Sequence, residues 1–212
     1  MIPTREEFFN ALKRRHGETL HARFSSAAVA ICGLGGLGSN IAVSLARAGI
    51  GKLILIDFDQ VDISNLHRQQ YKASQTGLDK TKALSDNLLE ISPYIELETH
   101  TIRMRDSDDV SRLLCSADII CEAFDQPEAK AMLTNSVLEL LPEKYLVAAS
   151  GMAGLGSANA IQTRRITDHF YLCGDQISDT AEGLSLIAPR VMLCAAHQAQ
   201  MVLRILAYEF EA

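Results

Sequence analysis

Gly33, Gly35 and Gly38 stand at Gly-x-Gly-x-x-Gly spacing, with Gly36 between them. Glycine there lets the backbone come close to phosphate oxygens. A helix beginning at that point presents unpaired N–H groups to negative charge. Asp57 follows Gly38 by nineteen positions, where a carboxylate commonly accepts hydrogen bonds from ribose hydroxyls. These residues alone suit NAD, FAD, S-adenosylmethionine and ATP equally well. The next segment discriminates: Asp59-Gln60-Val61-Asp62-Ile63-Ser64-Asn65-Leu66-His67-Arg68-Gln69. Hydride transfer has little use for Asn65 and Arg68 beside a ribose carboxylate. Phosphoryl or adenylyl transfer does, because fixed donors stabilise the charge spread over non-bridging oxygens. Arg68 supplies a planar fork and Asn65 a neutral donor. Lys80, in Gly77-Leu78-Asp79-Lys80, adds a point charge just before a helix. Asp125 closes the apolar run that begins at Ile119. It is suited to Mg²⁺, which prefers carboxylate plus phosphate oxygens.

Each residue also has a plainer reading. Arg68 and Lys80 singly suit solvated surface charges, and Asp125 suits a helix cap before Pro127. The conjunction favours a ligand site, because each falls at or beside the carboxyl end of an expected strand, where open α/β sheets bind ligands.

The elements that would place them read off periodicity. Thr4 and Glu7 have capping-box spacing and start a helix carrying Phe8, Phe9 and Leu12. Residues 27–32 form a buried strand, 39–48 a helix and 53–56 the next strand, which makes a right-handed parallel crossover. Helices follow at 81–91, 107–114 and 127–141, alternating with strands at 95–101, 118–123 and 145–149. After the glycines at 151, 154 and 156 come short, antiparallel strands at 158–163 and 169–172, and an irregular, mobile loop at 178–187. A long apolar helix spans 189–208. The expected fold is α/β: a Rossmann-like, doubly wound, mostly parallel sheet with a short antiparallel C-terminal extension and a long C-terminal helix.

Composition narrows the classes. The 212 residues suit one domain, divided into an N-terminal helical segment (1–26), a nucleotide-binding core (27–150) and a C-terminal part (151–212). A net charge of −6 argues against nucleic acid as a partner. No apolar run is long enough for a membrane span, and the polar N-terminus is no signal peptide. The five cysteines contain no Cys-x-x-Cys pair, so neither a zinc site nor a disulfide framework is expected, and a reducing cytoplasm is.

The string from Gly33 through Ser64-Asn65-Leu66-x-Arg68-Gln69, then Gly77-x-x-Lys80, then a strand ending in Asp125, resembles the adenylating domain of ubiquitin-activating-type enzymes. The bacterial ThiF/MoeB proteins are most similar, above all a compact ThiF-like subgroup found beside thiamine-thiazole synthesis. The resemblance is strong over 27–150 and looser beyond. It implies ATP-dependent adenylation of the C-terminal Gly-Gly carboxylate of a small ubiquitin-fold sulfur carrier, ThiS-like, with release of pyrophosphate. A molybdopterin or other carrier, as for MoeB, stays open. So do an NAD-dependent oxidoreductase, a non-catalytic carrier-binding module and a relative acting on a tRNA-linked carboxylate.

By that resemblance Gly33, Gly35, Gly36, Gly38 and Asp59 contact nucleotide, and Asp57 binds ribose. Asn65, Arg68 and Lys80 bind phosphates, Gln69 supports their segment, and Asp125 holds Mg²⁺. Many relatives carry two Cys-x-x-Cys pairs on zinc, which this chain lacks. Some use a downstream cysteine covalently, and Cys173, in an expected mobile loop, is the candidate here. Family members are usually homodimers in which an N-terminal arginine reaches the partner's ATP, a role open to Arg14 or Arg15. His197 reads as a satisfied, partly buried histidine, and Cys194 as core.

Overall fold

Alternation within the strands sorts the core onto two faces of one sheet. In β1 (Ala28–Cys32), Val29 and Ile31 face one way while Ala30 and Cys32 face the other. β2 (Lys52–Ile56) repeats this with Leu53 and Leu55 against Ile54 and Ile56. Both faces are apolar because helices cover both, as a parallel sheet requires. The computed structural model describes residues 2–180 and 183–212.

The helices are α1 (Arg5–His16), α2 (Glu18–Ser26), α3 (Gly36–Ala48), α4 (Lys80–Ile91), α5 (Ser107–Leu114), α6 (Pro127–Leu140) and α7 (Ala188–Leu206). The remaining strands are β3 (Glu96–His100), β4 (Ile119–Glu122), β5 (Tyr145–Ala149), β6 (Gln162–Arg165) and β7 (Phe170–Gly174). The strand order is β3-β2-β1-β4-β5-β7-β6, parallel throughout except for β6 against β7. α3, α4 and α7 pack on one face and α5 and α6 on the other. The expected doubly wound α/β fold is therefore present. Its order reverses between β1 and β4, the crevice where such sheets take ligands.

Three features differ from the sequence reading. Gly17 (φ +81°) ends α1, and a second helix, α2, follows at once, burying His21 and Phe24. Its apolar stripe is too short to stand out from the basic residues before it. Residues 158–160 form a 3₁₀ turn, and the strand starts only at Gln162, because Ser157 caps the turn through the N–H of Asn159. Cys173 is not in a loop. It lies in β7 with 0% exposure, where burial pushes its thiol up to about 11. The thiolate is the nucleophilic form, so this environment disfavours covalent chemistry at Cys173. The expected loop at 178–187 includes Ala181 and Glu182, which lie outside the described residues. His197 is half-buried and pairs through Nδ1 with the Thr163 hydroxyl at 3.0 Å, as a satisfied histidine should. No helix among the described residues is long and apolar enough to cross a membrane.

Gly38 sets how closely α3 approaches β1. A Cβ there would lie 1.8 Å from the Gly33 carbonyl oxygen, a backbone atom that cannot yield. Gly38→Ala is expected to cost about 1–3 kcal/mol by overpacking. Differential scanning calorimetry should register this as a fall in Tm of roughly 2–4 °C per kcal/mol.

Candidate active site

The parallel register assembles the site. Cys32 pairs with Ile56 and with Glu122, so the next residues on β1, β2 and β4 emerge side by side at the carboxyl edge. Gly33 N–H bonds the Ile56 carbonyl at 2.8 Å, and Ala123 N–H bonds the Cys32 carbonyl at 2.9 Å. Gly33 needs to be glycine twice over. Its φ is +93°, and a Cβ would sit 2.7 Å from the Ala123 carbonyl oxygen. Gly35 precedes α3 and Gly36 opens it, so the first N–H groups of α3 face the crevice without a side-chain cap.

Asp57 closes β2 and organises what surrounds it. One oxygen accepts the Leu34 N–H at 2.6 Å and the other the Asp59 N–H at 2.7 Å. Burial raises its pKa, while Lys80 and these two N–H groups oppose the rise. Lys80, the first residue of α4, is only 5% exposed. Its ammonium lies 2.7 Å from Asp59 and 3.9 Å from Asp57. The three residues form one charge cluster in which Asp57 and Lys80 are buried and Asp59 is half-exposed.

The chain between Asp59 and Lys80 leaves the sheet and returns. Val61 and Leu78 join its limbs, and Lys80 N–H bonds the Asp59 carbonyl at 2.9 Å. The excursion folds back over the start of α3. Asn40 Nδ2 bonds the carbonyls of Gly36 and Arg68, the Gln70 amide bonds Asn40 Oδ1, and the Tyr71 hydroxyl bonds the Leu34 carbonyl. Asn65, Arg68 and Gln69 are thereby pinned over the glycine loop. Gly36 lies between α7 and the Arg68 stem: a Cβ there would sit 2.9 Å from the Val191 side chain and 3.5 Å from that of Arg68. Arg68 donates to Asn65 Oδ1 at 2.9 Å, and its buried Nε has no partner. Burial lowers the Arg68 pKa, and the charge of Asp125 opposes this across the crevice. Gln69 is buried, with its Oε1 unpartnered.

Asp125 is exposed in the turn between β4 and α6. It does not cap α6: Gln126 occupies the N-cap position and no side chain bonds there. Its carboxylate is therefore available to a cation. Among the described residues no cluster of three or more His, Cys, Asp or Glu could hold a metal by itself. A single carboxylate facing the Arg68 guanidinium would fit Mg²⁺, which binds through one or two carboxylates plus substrate phosphates.

The far wall was not legible in the sequence. Arg190, at the start of α7, pairs with Asp175, and also donates to the carbonyls of Gly156 and Ser157. The pair floors a cavity of about 290 Å³ lined also by Gly154, Leu155, Ile177 and Leu184. His67 Nε2 lies 3.1 Å from the Leu186 carbonyl and joins this wall to the Arg68 segment. A larger cavity, about 480 Å³, opens at the amino edge of the sheet beside Arg5, His21, Lys52 and Tyr94. None of the expected site residues lines it.

The model of the ThiF family matches residues 10–211. The chain belongs to the ThiF family. It is 39% identical over 99 residues to ubiquitin-like modifier-activating enzyme 5 of Caenorhabditis elegans, covering 47% of this chain and 24% of that one. Against the same enzyme of Drosophila virilis it is 39% identical over 140 residues, covering 61% and 35%. The matched stretches thus span about a quarter to a third of these relatives. Among solved structures, Escherichia coli tRNA N6-threonylcarbamoyladenosine dehydratase, TcdA, in complex with ATP is similar at a TM-score of 0.85 and 20% identity, covering 99% and 98%. Escherichia coli MccB with ATP is similar at 0.71 and 24%, covering 91% and 59%. These two likenesses establish the fold.

Asp175 makes the far wall sensitive to acid. Burial pushes its carboxyl up, but N–H groups of Ile177 and Ser178, the Ser178 hydroxyl and Arg190 bring it down to about 2. A depressed carboxylate stabilises the fold above its unfolded pKa of about 4, and that stabilisation disappears as pH falls towards 2. At neutral pH, Asp175→Asn should lose about 2 kcal/mol. Urea unfolding of both proteins should show the gap closing between about pH 4 and pH 2.

Proposed function

We propose that this ThiF-family chain uses ATP and Mg²⁺ to adenylate the C-terminal Gly-Gly carboxylate of a small ubiquitin-fold sulfur carrier, of the thiamine-thiazole type. The observation that carries the reading is the opposition of Arg68 and Asn65, pinned over the glycine loop, to Asp125 across the same crevice. A plain dinucleotide site has no need of that arrangement. In this reading the carboxylate oxygen attacks the α-phosphorus of ATP, and the bond to the bridging oxygen of pyrophosphate breaks. The developing charge falls on non-bridging oxygens, where fixed donors act most strongly.

The roles follow from position. The free N–H groups at the start of α3, beside Gly33, Gly35, Gly36 and Gly38, receive phosphate. Asp57 keeps lone pairs for ribose after accepting its two N–H groups. Arg68 and Asn65 hold the α-phosphate oxygens. Lys80 turns from Asp59 towards phosphate, and Gln69 supports the segment from below. Asp125 would hold Mg²⁺, which would supply charge neutralisation at the phosphates. No residue of the chain need form a covalent bond, since positioning and charge suffice.

We read the assembly as a cytoplasmic homodimer. Arg14 and Arg15 are exposed on α1, and Leu12 of that helix packs on Gly49, near the amino edge of the sheet. That edge is opposite the crevice, so in this reading Arg14 or Arg15 would serve a partner's nucleotide.

The test is ATP–pyrophosphate exchange with purified Gly-Gly-ending carriers, thiamine type first. Carrier-dependent exchange is expected. ATP binding without exchange would instead fit a recruiting module, and NADH binding without ATP binding would overturn the reading. Arg68→Ala should lower exchange by about a hundredfold or more, with Tm nearly unchanged because the side chain is only half-buried. Normal exchange in that variant would remove Arg68 from the mechanism.

A further inference from the structure

Glu122 ends β4 with 1% exposure, a carboxylate sunk beside an otherwise apolar helix layer. Burying such a charge costs several kcal/mol, and an apolar pair of similar volume commonly serves a fold as well. The structure ties this charge to one short turn. Glu122 Oε1 accepts the Phe124 N–H at 2.8 Å, and Oε2 accepts Lys130 Nζ at 2.7 Å. The same ammonium reaches forward to the Phe124 carbonyl at 3.2 Å. That carbonyl belongs to the peptide bond leading into Asp125. From the opposite face, Gln198 Nε2 holds the Glu122 carbonyl at 3.0 Å. Phe124 in turn abuts the phosphate loop, where a Cβ on Gly33 would lie 3.1 Å from its ring.

We infer that Glu122 and Lys130 are positioning residues for Asp125: together they clamp the turn after β4 and set the carboxylate's distance from the glycine loop. Neither touches nucleotide. The inference rests on the reading of Asp125 as the metal-holding residue. Groups that orient a metal ligand without touching the metal typically govern 10–100-fold in metal affinity.

The experiment measures Mn²⁺ affinity of the protein–ATP complex by electron paramagnetic resonance, with metal-free ATP binding by calorimetry beside it. Lys130→Met should weaken Mn²⁺ binding about tenfold or more while leaving metal-free ATP binding unchanged. Lys130→Arg, which keeps a cation with donors for both acceptors, should recover most of the loss. In an Asp125→Ala background Lys130→Met should add nothing, because its effect passes through Asp125. Glu122→Gln should match Lys130→Met if it folds; Lys130 is 27% exposed, so its variant decides the matter if Glu122→Gln does not. A lowered Tm with unchanged Mn²⁺ affinity would overturn the inference, as would additive losses in the double variant. Unchanged Mn²⁺ affinity in Asp125→Ala alone would instead remove the underlying metal reading, and the inference with it.

Discussion

The Asp57 carboxylate accepts main-chain N–H groups from two directions, the glycine loop through Leu34 and the outgoing chain through Asp59. Both bonds are made in a buried setting, where an unpaired carboxylate would be costly. The turn after β1 and the departure from β2 therefore have one compatible arrangement. Lys80 adds a counter-charge from the start of α4 and ties the returning limb to the same point. The excursion that carries Arg68 is thus fixed at its root, whatever happens at its tip.

A second constraint lies at the other side of the crevice, where β4 and β5 reach their carboxyl ends. Gln198, wholly buried on α7, donates to the carbonyls of Glu122 and Val147. A side-chain amide here gives two main-chain acceptors at the strand ends a buried donor. α7 is thereby more than an apolar cover. Its first turn supplies Arg190 to the far wall, and its middle fixes the strand from which the Asp125 turn departs.

The sequence made the fold legible because each central strand is an apolar run followed by a turn, and each helix shows its apolar stripe. The glycines, Asp57, Asn65, Arg68, Lys80 and Asp125 were also legible, since their spacing follows the strand ends. What stayed hidden depends on contacts distant in the chain. Asp175 and Arg190 are ordinary charges until β7 and α7 bring them together. Glu122 is a lone charge in an apolar strand, and only the position of Lys130 one helical turn into α6 accounts for it. Cys173 precedes Gly174 at the end of a short apolar run, which suits a loop as well as a strand; β6 pairs across it and seals it. Asn40 and Ser39 carried a weak signal, polar residues in the first turn of a buried helix, which now reads as the anchor of the Arg68 segment.

Lys80 is already matched to Asp59 before any ligand arrives, and this bears on the form in which a triphosphate could enter. The crevice gathers three carboxylates, Asp57, Asp59 and Asp125, against two cations, Arg68 and Lys80. A bare polyanion would meet a surface whose charges sum to −1 and whose lysine is engaged, and like charges at such distances repel appreciably. A triphosphate already wrapped around a divalent cation would carry its own answer to Asp125, and its oxygens would compete with Asp59 for Lys80. On the proposed reading, the crevice would therefore favour a nucleotide that arrives with its divalent cation over one that arrives bare.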